Sequence, residues 1–159
     1  MKNIVVLGIG NILLSDEGAG VRVVENLQRR YRLPGNVAAI DGGTMGLDLL
    51  PYLEGCDVLF IVDAARIDLQ PGGIALRRLD DPLLFFRTRI SPHQLGLSDV
   101  LAAAALTGDL PPEIHLLGIE PLSLATSLDL SEPVMSAIPA ATDLLAHELA
   151  RRGASCTPA

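Results

Sequence analysis

The run Asn3-Ile-Val-Val-Leu-Gly8-Ile-Gly10, followed by Asn11-Ile-Leu-Leu-Ser-Asp-Glu17 and Gly18-Ala-Gly-Val-Arg-Val-Val-Glu-Asn-Leu27, decides the fold. Its first part is short, apolar, rich in β-branched residues and closed by glycine, which is the signature of a buried strand. From about Asp16 to Arg30 the spacing becomes helical, with Val21, Val24 and Leu27 on one face and Arg and Glu between them. The alternation then repeats. Val37–Ile40 reads as a second strand ending at Asp41, Met45–Leu53 as a helix, and Val58–Val62 as a third strand ending at Asp63. Gly73–Leu79 forms a fourth strand behind the Gln70-Pro-Gly-Gly turn, and Ile114–Ile119 a fifth. A helix from about Gln94 to Thr107 follows Pro92, and Asp80–Ile90 admits a short helix and then a loop.

The last helix starts near Ser131-Glu-Pro133 and carries Val134, Ile138, Ala141, Leu145 and Leu149 on one stripe. Pro139 within it should bend it or delay its start. Strands alternating with helices imply an α/β three-layer fold, a mostly parallel five-stranded sheet flanked by helices on both faces. One domain is expected over residues 1–152, with 153–159 a flexible tail.

Composition narrows the function. The 159 residues suit one domain with one substantial core, and 49% apolar content with mean hydropathy +0.39 excludes a disordered chain. With no Trp, two Tyr and three Phe, that core must be built from Leu, Val, Ile and Ala. A net charge of -7 argues against a nucleic-acid surface. The basic clusters Gln28-Arg-Arg-Tyr-Arg32 and Arg151-Arg152 read as helix C-termini, where cations complement the dipole. Cys56 and Cys156 stand far apart and outside any metal-binding spacing, so free thiols and a cytoplasmic location are expected. The apolar N-terminus is interrupted by Gly8, Gly10 and Asn11 and is not read as an export signal. The helix 94–107 is too short and too polar at its start to span a membrane.

Sites on such sheets form beyond the carboxyl ends of the strands. Gly8 and Gly10, Asp41 and Asp63 fall just past strands one, two and three; Glu17 opens a helix and His93 precedes another. Glu17, Asp63 and His93 supply two carboxylates and an imidazole, a donor set for a hard-to-borderline divalent metal with coordination positions left open. Taken singly, each has a plainer role. A strand-end Asp is a common turn former, Ser15 or Asp16 could cap the first helix, and a loop histidine can bond to backbone.

Gly8-x-Gly10 after a strand, with Asp41 at the end of the next, resembles a dinucleotide fingerprint. Leu13 occupies the place of its third glycine, and there is no room for a second domain. No His-Glu-x-x-His helix and no Gly-x-Ser-x-Gly elbow occur. His115 reads as a sheet residue, His147 as solvated, and Asp48, Asp57, Asp99 and Asp143 as surface acids. Gly18 and Gly20 are costly in a helix's opening turns, which implies close approach to a strand, a partner or a ligand.

The stretches Gly8-Ile-Gly-Asn-Ile-Leu-Leu-Ser-Asp-Glu-Gly-Ala-Gly20, Asp41-Gly-Gly-Thr-Met-Gly46, Val62-Asp-Ala64 and Ser91-Pro-His-Gln-Leu-Gly-Leu-Ser-Asp-Val-Leu101 closely resemble the nickel-iron hydrogenase maturation proteases, in order and spacing over nearly the whole chain. The resemblance implies an endopeptidase that removes a C-terminal extension from the nickel-loaded precursor of the hydrogenase large subunit. It implies that Glu17, Asp63 and His93 contact the metal, which is the nickel already in the substrate, used as a recognition mark. Other divalent metals such as zinc or cadmium could take the same ligands. Asp41 resembles the family's acid implicated in processing or selectivity, an aspartyl-endopeptidase-like role, with Gly42, Gly43 and Thr44 beside the substrate. A metal-polarised carbonyl or an activated water would then permit hydrolysis. The expected partner is that precursor, with no nucleic acid and no membrane insertion. The competing class is a non-enzymatic metal- or nucleotide-binding accessory protein.

Overall fold

The computed structural model describes residues 1–88 and 92–159, with the side chains of residues 92–95 outside the description. A five-stranded sheet runs in the order β3 (Val37–Gly43), β1 (Ile4–Ile9), β4 (Val58–Ala64), β6 (Glu113–Ile119), β5 (Ile74–Arg78). All pairings are parallel except β5 with β6, which makes β5 an antiparallel edge. Around the sheet lie α1 (Ala19–Arg30), α2 (Leu50–Leu53), α3 (Pro82–Arg87), α4 (Pro92–Thr107) and α5 (Glu132–Arg151). A two-residue strand β2 (Tyr31–Arg32) pairs with β7 (Thr157–Pro158) apart from the main sheet.

Alternate residues of the central strands feed two cores, because successive side chains of a strand point to opposite faces. Ile4, Val6, Val58, Phe60, Val62, Leu117 and Ile119 pack with α1 and α5. Val5, Leu7, Ile9, Leu59, Ile61, Ile114 and Leu116 pack under α2, α3 and α4. Burial on both faces is why these strands read as continuous apolar runs. Between α1 and α5 the amide of Asn26 donates to the Thr142 hydroxyl at 2.8 Å, so the buried polar pair at that contact is satisfied, while at its exposed end Arg30 pairs with Asp143 at 2.9 Å.

Several elements depart from expectation. Strand β3 continues through Asp41 to Gly43, because β1 keeps pairing with it across an irregularity between Gly8 and Ile9. The expected helix 45–53 is a 3₁₀ turn, Leu47–Leu49, followed by the single turn of α2. Helix α5 begins at Glu132, so Pro139 does not delay it. The carbonyl that Pro139 leaves without a partner belongs to the exposed Met135, where water can satisfy it. Residues 153–159, expected to fray, lie against the domain: Ala154 is fully buried, β7 pairs with β2, and Ala159 N donates to Arg30 O at 2.9 Å.

Arg152, read as a dipole complement, joins two elements instead. Its guanidinium donates to Glu113 Oε2 at 2.7 Å and to Glu148 Oε2 at 2.8 Å, and lies 5.0 Å over the ring of Phe60. His115 stacks on the same ring and meets Glu113 at 2.6 Å, as a satisfied sheet histidine should. Burial alone would raise the Glu113 carboxyl, but Arg152 and His115 outweigh it and bring it from 4.5 down to about 2. A depressed carboxyl stabilises the fold above its unfolded value and loses that contribution as pH falls towards the folded one, here between about 4.5 and 2. The shift corresponds to about 3 kcal/mol at neutral pH, of which about 2 kcal/mol is gone by about pH 3. The urea stability of wild type should therefore exceed that of Glu113→Gln at pH 6, and the gap should narrow by about 2 kcal/mol on acidification to about pH 3. A gap independent of pH would show that Glu113 gains nothing from ionisation in the fold.

Candidate functional site

The site edge is assembled by backbone contacts with little tolerance. Gly20, second residue of α1, lies so close to the sheet that a Cβ there would sit 2.0 Å from Val62 O and 2.8 Å from Ile9 O. A Cβ on Gly8 would meet Gly20 O at 2.6 Å. These glycines let α1 rest directly on β1 and β4, so the close approach inferred from Gly20 is to the protein's own strands. A Cβ on Gly10 would lie 1.9 Å from Glu17 O and 3.7 Å from Asp63 Oδ1. Gly10 itself has φ +126, a region that side chains disfavour. It is the point over which the 3₁₀ turn Ser15–Gly18 and the end of β4 converge.

That convergence places two of the sequence-expected ligands together. Glu17 is half-buried in the turn, and Asp63 is fully buried near the end of β4, opposite Gly118 of β6. His93 belongs to the opening turn of α4, four residues before the buried Leu97; its side chain lies outside the described residues. Among the described residues no group of three His, Cys, Asp or Glu side chains is arranged to hold a metal.

Asp41 is set apart from that pair. It is exposed on β3, in register with Gly8, and β1 stands between β3 and β4. Two strand spacings are about 10 Å. By strand alternation Asp41 shares the parity of Ala39, which packs on the α1 side, whereas Asp63 shares that of Ile61 on the α4 side. Gly43 O accepts from Gly10 N at 2.8 Å, tying the Asp41–Thr44 stretch to the same edge. Gly42 is buried, with Leu7 and Gly8 too close for a side chain, while Thr44 is exposed.

Sequence reasoning missed Asp16. It does not cap α1; its fully buried carboxylate accepts from Leu122 N (2.8 Å), Ser123 N (2.9 Å), Ser131 N (2.8 Å) and Ser131 Oγ (2.7 Å). Burial would raise this carboxyl, and those hydrogen bonds hold it below the ordinary value instead. Ser15, with φ +52, gives its hydroxyl to Asp129 O at 2.8 Å. The loop after β6 is thus bonded to the turn that carries Glu17. No local sequence signal marks these partners. A cavity of about 190 Å³ opens at the other end of the sheet, between Asn3, Gly35, Tyr52 and Cys56, away from every candidate residue.

An α/β domain with acids gathered at the carboxyl edge of a parallel sheet, and glycines closing that edge on itself, defines the class. The profile of the hydrogenase maturation proteases matches residues 21–148. The hydrogenase 2 maturation protease of Escherichia coli K12 is 42% identical over 156 residues, covering 98% of this chain and 95% of that protein. The hydrogenase expression/formation protein HupM of Azotobacter chroococcum is 43% identical over 158 residues, covering 98% of this chain and 76% of that protein. A solved structure of the hydrogenase-maturating endopeptidase HybD of E. coli superposes with TM-score 0.92 at 42% identity, covering 99% and 98% of the two chains. The chain belongs to the hydrogenase maturation protease family and is a peptidase.

The glycine contacts predict opposite outcomes at two helical positions. Gly20→Ala must drive α1 off the strands and should cost at least about 2 kcal/mol. Gly96→Ala, in α4 with nothing within 4 Å of the added carbon, should stabilise by about 0.5–1 kcal/mol. Thermal melts of both variants check this. A neutral Gly20→Ala would mean that α1 does not set the site edge.

Proposed function

We propose that this peptidase removes a C-terminal extension from the large-subunit precursor of a nickel-iron hydrogenase, and that Glu17, Asp63 and His93 engage the nickel already inserted in that precursor. The observation that carries the reading is the convergence of the Glu17 turn and the Asp63 carboxylate over Gly10. Carboxylate oxygens with an imidazole nitrogen suit a divalent ion of borderline hardness, and the same donors would accept zinc or cadmium. An ion held by the substrate itself would make loading a condition of docking, so that unloaded precursor is rejected.

Asp41 stands about two strand spacings from Asp63, too far to share a ligand sphere with it. Its exposure at the rim favours a role in placing the peptide or a water, with Gly42, Gly43 and Thr44 as the adjoining stretch. Cys56 and Cys156 are unpaired, which supports a reducing, cytoplasmic setting. Among the described residues no helix is long and apolar enough to cross a membrane.

The test is cleavage of purified cognate precursor, nickel-loaded and nickel-free. Loaded precursor alone should be cut, and Glu17→Gln should slow that by at least about 100-fold, since even outer-sphere partners cost 10–100-fold in metal affinity. Equal cutting of both forms would rule out nickel as the mark. Asp41→Asn should lower the turnover rate while leaving nickel-dependent binding of the precursor intact. Loss of that binding would make Asp41 a ligand instead.

A further inference from the structure

We infer that the loop after β6, residues 120–131, with the segment 12–14 bonded to it, is the docking surface for the precursor and takes an apolar, positively charged segment of that polypeptide. The inference rests on the proposed processing of a protein precursor at this edge.

The loop is irregular but fixed. Asp16 accepts four hydrogen bonds from it, Ser15 N donates to Ser127 O, and Ser127 N donates to Leu13 O, both at 2.9 Å. On this frame Leu13, Leu122, Leu124 and Leu128 stand 56%, 60%, 46% and 59% exposed. Single exposed leucines are ordinary; several on two segments joined by backbone hydrogen bonds make a patch, and an ordered apolar patch is what a protein interface uses. The patch adjoins the candidate site, because Leu14, which follows the exposed Leu13, accepts from Glu17 N through its carbonyl at 3.2 Å.

Charge states the partner's other property. The loops after β1 (10–18), β4 (65–73) and β6 (120–131) carry Asp16, Glu17, Asp68, Glu120 and Asp129 against Arg66, with one further cation, Arg22 of α1, donating to Leu128 O at 3.3 Å. Asp41 and Asp63 add to the same edge. Such an edge steers and orients a cationic segment, an effect that salt weakens.

Steady-state cleavage of nickel-loaded precursor tests this with Leu122→Ser/Leu128→Ser, both positions being exposed enough to spare the fold. KM should rise by about tenfold or more with kcat within about twofold of wild type. Leu106→Ser, 90% exposed near the end of α4, should behave as wild type. Wild-type KM should rise between about 50 and about 300 mM salt. Unchanged KM in the double variant, a fall in kcat alone, or a salt-independent KM would each overturn the inference. So would a wild-type dimer that the double substitution dissociates without affecting cleavage, which would assign the patch to a second copy. Precursor binding followed by calorimetry separates the two readings. If wild type binds but does not cut, processing fails, while weaker binding by the double variant still upholds the docking surface.

Discussion

Helix α1 rests on β1 and β4 at a distance that leaves room only for hydrogen, and the working edge of the molecule depends on that contact. Gly8 and Gly20 face one another, and Gly20 also faces the carbonyls of Ile9 and Val62. With the helix held there, the turn that leads into it has to pass over Gly10, and its second acid arrives beside the end of β4. The placement of the Glu17 turn beside the end of β4 is thus a property of backbone packing, and backbone packing in a close-packed interior yields little. Sites built on such elements hold their geometry better than sites on free loops.

The same turn separates two adjacent acids by function. Successive side chains of a 3₁₀ turn are about 120° apart, so Asp16 and Glu17 leave the turn in different directions. Asp16 is fully buried and ionised by virtue of hydrogen bonds that outweigh its burial, and it organises the loop after β6. Glu17 is left half-buried at the edge. Ser131 shows the same priority. It stands at the N-cap of α5, yet its hydroxyl goes to Asp16 and makes no cap bond. A hydrogen bond to a buried charge outweighs one to a helix end, because leaving that charge short of a donor costs more.

Strands β1, β4 and β6 were legible because burial on both faces leaves an unbroken apolar run, and the order of elements then implied the sheet. What stayed hidden was set at long range. Asp and Gly are poor strand formers, so the reading stopped β3 at Ile40, yet pairing with β1 carries it to Gly43. Asp16 has the local look of a cap, while its partners lie 106 to 115 residues away. Arg152 looked like a helix-end cation, and the acid it holds on β6 is 39 residues distant. For the site, the topology argument carried Glu17 and Asp63 to one edge, and the Glu17 turn does lie beside the end of β4. It could not show that β1 would stand between Asp63 and Asp41, since strand order is not written in strand sequence.

The thiols bear on which groups can act. A peptidase needs a nucleophile or a means of activating water, and a cysteine serves only as its thiolate. Cys56 sits beside the cavity at the amino end of the sheet, and burial pushes its thiol up to about 11. Cys156 is likewise raised by burial, and it adjoins β7. Neither offers appreciable thiolate near neutral pH. Of the serines beside Glu17, Ser15 donates to Asp129 O and Ser131 to Asp16, so both hydroxyl protons are already engaged. None of these four groups is therefore a ready nucleophile at this edge.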